Sequence, residues 1–95
     1  MSVENALREL ERAGDSLRCK DLQRILESLG FEVRDGKKAG HKIVHHPDLP
    51  DFLGSSYTCG HGANPQVKPN YVRNMLKVVR HHEDNLRALL SGDRK

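Results

Sequence analysis

Imidazole is the one side chain whose unperturbed pKa lies near neutrality, so it can both take and give a proton at physiological pH. Four of the six histidines of this chain, His41, His45, His46 and His61, fall between positions 41 and 61. His41 stands in the stretch Lys37-Lys38-Ala39-Gly40-His41-Lys42, with lysines on both sides. Those cations supply what attracts a phosphate backbone. The clustered carboxylates on which metal nucleases depend are missing from this stretch. The combination points to metal-free chemistry on RNA, with no cofactor.

Cleaving RNA without a metal requires a base for the 2′-hydroxyl proton, an acid for the leaving 5′-oxygen and cations for the phosphate. His41 is the candidate catalytic residue, and His61 is the second candidate proton carrier. The candidate RNA-binding residues are Lys37, Lys38, Lys42, Lys68, Arg73 and Lys77. Arg73 and Lys77 are four residues apart on one helix face and could hold successive phosphates. Tyr57 and Tyr71 could stack bases, although four aromatic residues in all exclude a broad stacking platform. Two rival readings stand beside this one. His41 could be a hairpin residue in a non-catalytic RNA-binding module. His45, His46, Cys59 and His61 are all zinc-type ligands, yet adjacent His45 and His46 point to opposite faces of a strand. The His81-His82 pair reads as solvent-facing.

Charge segregates along the chain. The formal net charge of +3 hides residues 1–32 at −2 and residues 33–82 at +5. The latter holds Arg34, Lys37, Lys38, Lys42, Lys68, Arg73, Lys77 and Arg80 against Asp35, Asp48 and Asp51. The basic half is the histidine-rich half, as expected of a chain whose partner is an anionic polymer. No apolar run approaches the length of a membrane span. Cys19 and Cys59 lie far apart without CxxC spacing, and no secretory signal opens the sequence. These features lead to the expectation of a reduced, cytoplasmic setting.

The elements that must position these groups follow from apolar periodicity. Val3, Leu7 and Leu10 predict a helix over 2–13, ended by Gly14. Leu22, Ile25, Leu26 and Leu29 form the i, i+3, i+4, i+7 stripe of a helix over 19–29, with Gly30 placed for a left-handed C′ residue. Phe31 and Val33 alternate as a strand, and Asp35-Gly36 is turn chemistry. A second strand runs from about Gly40 to His46 and stops at Pro47. Residues 47–54 read as a loop, and Ser55 to His61 as a third strand. Pro69 opens a helix whose stripe (Val72, Met75, Leu76, Val79) continues to Leu86 and Leu90, either unbroken or bent near His81-His82.

The expected fold is therefore α+β, in the order α-α-β-β-β-α, a small three-stranded antiparallel sheet packed by helices on one face. Odd-numbered strand residues (Phe31, Val33, Ile43, Tyr57, Cys59) are expected on the packed face, with His41 and His61 sharing their parity. Pairing 43 with 59 would make His41 and His61 cross-strand neighbours.

The segment Asp21-Leu22-Gln23-Arg24-Ile25-Leu26-Glu27-Ser28-Leu29-Gly30-Phe31-Glu32 resembles the opening helix and first strand of HicA-type (YcfA-like) toxins. In that family a basic hairpin with a Gly-Ser-His core and then His-Pro follows. Here these are Lys38-Ala39-Gly40-His41 and His46-Pro47. The family's later His-Gly loop and Lys-Pro helix start resemble His61-Gly62 and Lys68-Pro69-Asn70-Tyr71-Val72-Arg73-Asn74-Met75-Leu76. The resemblance implies one HicA-like domain over 1–95, with a core at 18–80, an N-terminal helical extension at 2–13 and a C-terminal one at 81–91. It further implies a double-stranded-RNA-binding-domain-like fold and a metal-independent mRNA endonuclease, the toxin of a type II toxin–antitoxin system. Its partners would be mRNA and a cognate HicB-type antitoxin. The family's catalytic histidine falls on His41, and the serine before it is Gly40 here.

Overall fold

The computed structural model describes residues 2–13, 17–60 and 62–91. Gly14 and His61, to which the sequence assigned a helix stop and a proton carrier, lie outside the described residues. The elements are α1 (Val3–Ala13), α2 (Cys19–Ser28), β1 (Glu32–Asp35), β2 (His41–His45), β3 (Ser55–Thr58), α3 (Pro69–His81) and α4 (Glu83–Ser91). The three strands form an antiparallel meander in the order β1-β2-β3. The α+β class and the sheet are as the periodicity predicts. The last helix is broken at His82, which makes a fourth helix.

Each helix buries the stripe that its spacing dictates. Leu22, Ile25 and Leu26 of α2 are buried together with Leu29, and Val72, Met75 and Val79 of α3 meet them in one core cluster. Val3, Ala6 and Leu10 carry α1 into the same cluster, and Leu86 carries α4. Full burial of each Val, Leu, Ile or Met side chain among them favours folding by about 1.5–3 kcal/mol. Helix α1 lies against α3 and α4, and α2 against β1. Exposed ion pairs rim the α1 contacts: Glu9 with Arg24 (3.2 Å), Glu11 with Arg80, and Glu4 with Arg87 (2.9 Å).

Helix α2 ends in a Schellman motif. The Gly30 N–H donates to Glu27 O (3.0 Å) and the Phe31 N–H to Leu26 O (3.1 Å), with Gly30 at φ 92°. The chain thus turns directly from α2 into β1.

The strand register differs from the expected one. Val33 pairs with Val44, and Lys42 with Tyr57. The turn over 36–40 therefore sets odd residues of β1 beside even residues of β2, and those beside odd residues of β3. Val44, Tyr57 and Cys59 are buried, while Ile43 is 44% exposed. His41 pairs with Thr58, not with His61, and lies on the open face with Ile43. A one-residue change in pairing reverses every side chain, and the long loop between β2 and β3 carries no pattern to fix it. The third strand also ends earlier than expected, at Thr58, with Cys59 in an isolated bridge to Val67.

Candidate active site on the open sheet face

The turn between β1 and β2 builds the site. The Gly36 N–H donates to His41 O (2.7 Å), and the His41 N–H donates to Lys38 O (3.1 Å). These two bonds close the turn and leave the Lys37 and Lys38 side chains exposed beside a half-buried His41. A cleft of about 600 Å³ is lined by Lys37, Lys38, His41, Ile43, Thr58 and Tyr71. A smaller one of about 290 Å³, lined by residues 35–41, adjoins it at His41. One imidazole, two ammonium groups, a hydroxyl and a phenol thus converge on one solvent-open surface.

The far wall comes from α3. Asn74 Nδ2 donates to Ser55 Oγ (3.3 Å), which places the Asn74 side of the helix along β3. Tyr71 is three residues earlier on the same side, and so reaches the cleft. Arg73 and Arg80 are seven apart and share a side, and Arg80 is paired with Glu11 of α1. Arg73 consequently faces the α1 side, and Lys77 lies between the two. Arg73, Lys77 and Lys68 all stand outside the cleft lining. Lys68 is the exposed residue just before α3.

Lys42 also differs from the expectation. It lies on the packed side of β2, and its ammonium is paired with Asp35. Its aliphatic stem covers the sheet while the charge reaches the edge. Of the six candidate phosphate-holding cations, the structure brings only Lys37 and Lys38 to His41.

Tyr57 is no stacking residue. It is fully buried, its hydroxyl has no hydrogen-bond partner among the described residues, and burial pushes its phenol well above the ordinary range.

The remaining histidines divide by strand parity. His45 is exposed on the open face opposite Glu32, whereas His46 is buried. The Asp48 N–H donates to His46 Nδ1 (3.1 Å), so the ring proton resides on Nε2, which donates to Leu29 O (3.2 Å). His46 thereby satisfies a carbonyl left open at the end of α2. Its ring stands edge-on to Phe31 (centroids 4.8 Å), Phe31 meets Phe52 (5.4 Å), and Phe52 meets His82 (5.6 Å). His82, expected in solvent, is instead buried at the α3–α4 break, and burial holds its pKa below the ordinary value. Neither histidine carries a sequence signal for this role, because hydropathy scores imidazole as polar.

Cys19 and Cys59, read as a reduced pair far apart, are joined in a disulfide with Cα atoms 5.7 Å apart. The cross-link holds the start of α2 to the residue whose N–H donates to Gly40 O (2.8 Å), the residue before His41. It also removes the thiolate from the zinc-type set, as the Leu29 and Asp48 bonds occupy both nitrogens of His46. The described residues contain no group of three or more metal-type ligands. No described helix is long and apolar enough to cross a membrane.

Comparison with protein-family models, with curated proteins and with solved structures returns no match for this chain.

Proposed function

We propose that this chain is a HicA-type toxin, a metal-independent endoribonuclease that cleaves mRNA in the cytoplasm and is neutralised by a HicB-type antitoxin. One observation carries the reading: His41 lies on the open sheet face, in one cleft with the exposed Lys37 and Lys38. The order α-β-β-β-α over residues 19–81 supports a double-stranded-RNA-binding-domain-like scaffold. The resemblance of residues 18–80 to the HicA family adds the catalytic role of His41 and the antitoxin.

The reaction follows from these groups. A 2′-oxygen attacks the adjacent phosphorus as the bond from phosphorus to the 5′-oxygen breaks. The products are a 2′,3′-cyclic phosphate and a 5′-hydroxyl. One proton leaves the 2′-hydroxyl and one arrives at the 5′-oxygen, and His41 carries one of these transfers. Lys37 and Lys38 hold the charge that builds on the phosphoryl oxygens. An antitoxin laid over the basic half of the chain would remove both access and attraction. In a reducing cytoplasm the Cys19–Cys59 bond would meet thiols able to open it.

Incubating the purified chain and a His41→Ala variant with RNA, with and without EDTA, tests the reading. Cleavage by the unmutated chain that survives EDTA and disappears in the variant is the expected result. RNA binding without cleavage by either protein would make the chain a binding module on the same fold. Cleavage abolished by EDTA would end the metal-independent reading.

A further inference from the structure

We infer that the cleft beside His41 is a nucleobase site, so that the substrate is single-stranded RNA and one base next to the scissile phosphate stacks on Tyr71. The inference rests on the endonuclease reading for the phosphate and extends it to the base. The three kinds of group in the cleft divide as a nucleotide does. Lys37 and Lys38 form its cationic end and suit a phosphate, with His41 beside them. Ile43 is an aliphatic residue 44% exposed in the middle of a strand. It leaves an apolar floor uncovered where a sheet surface is ordinarily polar. Tyr71 adds an aromatic ring and Thr58 a hydroxyl that can meet a base edge.

A planar heteroaromatic group satisfies that floor and that ring together. An aliphatic or purely anionic ligand would use only half of the lining. The volume of about 600 Å³ is large enough for one nucleotide. Bases inside an A-form helix have no free face for an aromatic ring, whereas unstacked single-strand bases do. Among the described residues Tyr71 is the one Phe, Tyr or Trp side chain lining the cleft, so it holds one base. The preference for single strands therefore comes from the cleft, although the fold supporting it is of a kind that binds double strands.

The experiment uses the full chain carrying His41→Ala, so that bound RNA stays whole, and short single-stranded RNAs with one 2-aminopurine moved along the sequence. Stacking on Tyr71 is expected to quench the probe at one position. Tyr71→Leu in the same background should abolish that quench and weaken binding roughly 10- to 100-fold. Tyr71→Phe should keep both, and the same RNA as a duplex should bind more weakly. Ile43→Ser, at an exposed strand position, serves as a second variant with the same expected direction.

Unchanged quench and affinity in Tyr71→Leu and Ile43→Ser, with cleavage by the unmutated chain intact, would overturn the base site and leave the nuclease standing. A Tyr71-dependent quench with no cleavage by the unmutated chain would uphold the base site and overturn the nuclease. Absence of any RNA binding would overturn both.

Discussion

The imidazole of His41 lies directly over Gly36. A Cβ at position 36 would run into Cδ2 of that ring and stand 3.0 Å from its Cγ and 3.3 Å from its Cβ. Only the absence of a side chain lets the ring occupy this place, five residues from the glycine whose N–H binds the His41 carbonyl. Gly36 is thus a positioning residue for the candidate catalytic group.

Gly36→Ala and Gly36→Val should therefore lower kcat for RNA cleavage by at least tenfold, while KM changes by less than about threefold. A misplacement of about 1 Å at a reacting group costs on the order of 100-fold. The substitution lies in the β1–β2 turn, outside the core cluster, so thermal unfolding should shift little. Equal kcat in Gly36→Val and the unmutated chain would show that the ring does not act from this position.

Tyr57 yields a prediction of opposite sign. Its buried hydroxyl lacks a partner among the described residues, and leaving such a group unsatisfied costs about 1–3 kcal/mol. Tyr57→Phe removes the hydroxyl and keeps the ring. Urea unfolding should show stability unchanged or raised by up to about 1 kcal/mol. A loss beyond 1 kcal/mol would mean that the hydroxyl is bonded.

His82 makes stability depend on pH. Burial is the main reason that its pKa falls below 6.5, with His81 and His46 adding to the effect and Asp51 opposing it. The unfolded chain consequently binds the proton first as pH falls, so stability rises with pH in that window. The contribution is fully present above pH 6.5 and is lost as pH drops from there through the depressed folded value. Melting temperature should fall between pH 7 and pH 5 more steeply in the unmutated chain than in His82→Phe. Identical slopes would assign acid sensitivity to other groups.

The cross-link between Cys19 and Cys59, with a sequence separation of 40, should stabilise the fold by about 2–4 kcal/mol. Dithiothreitol should lower the melting temperature of the unmutated chain and leave a Cys19→Ala/Cys59→Ala double variant unmoved at that lower value. A melt indifferent to dithiothreitol would count against the bond.

Long-period signals were legible in the sequence, and side-chain partnerships across the fold were not. The stripes of α2 and α3, the Gly30 turn and the three-strand meander follow from spacing within single segments. The face of His41 depended on which residue of β2 meets Val33, and Val44 won over Ile43 through the length of one turn. That single step moved His41 from the expected packed side to the open side, where Lys37, Lys38 and Tyr71 meet it. His46 and His82 were illegible because their burial is satisfied by a carbonyl of α2 and by the edges of Phe31 and Phe52. Cys19 and Cys59 were illegible because only the packing of α2 against the end of the sheet brings them together.

The ion pair of Glu4 with Arg87 joins residues 83 positions apart, so it closes a loop that spans most of the chain. A contact of such separation is expected to form after the intervening sheet and core, since its closure entropy must be met first. The same order reversed predicts that α1 and α4 open before the sheet, exposing Val3, Ala6, Leu10 and Leu86. Native-state hydrogen exchange should therefore resolve two tiers of opening, with amides of α1 and α4 exchanging well before those of α2 and β2. The sheet that carries His41 is then expected to persist as a kinetic unit while α1 and α4 open.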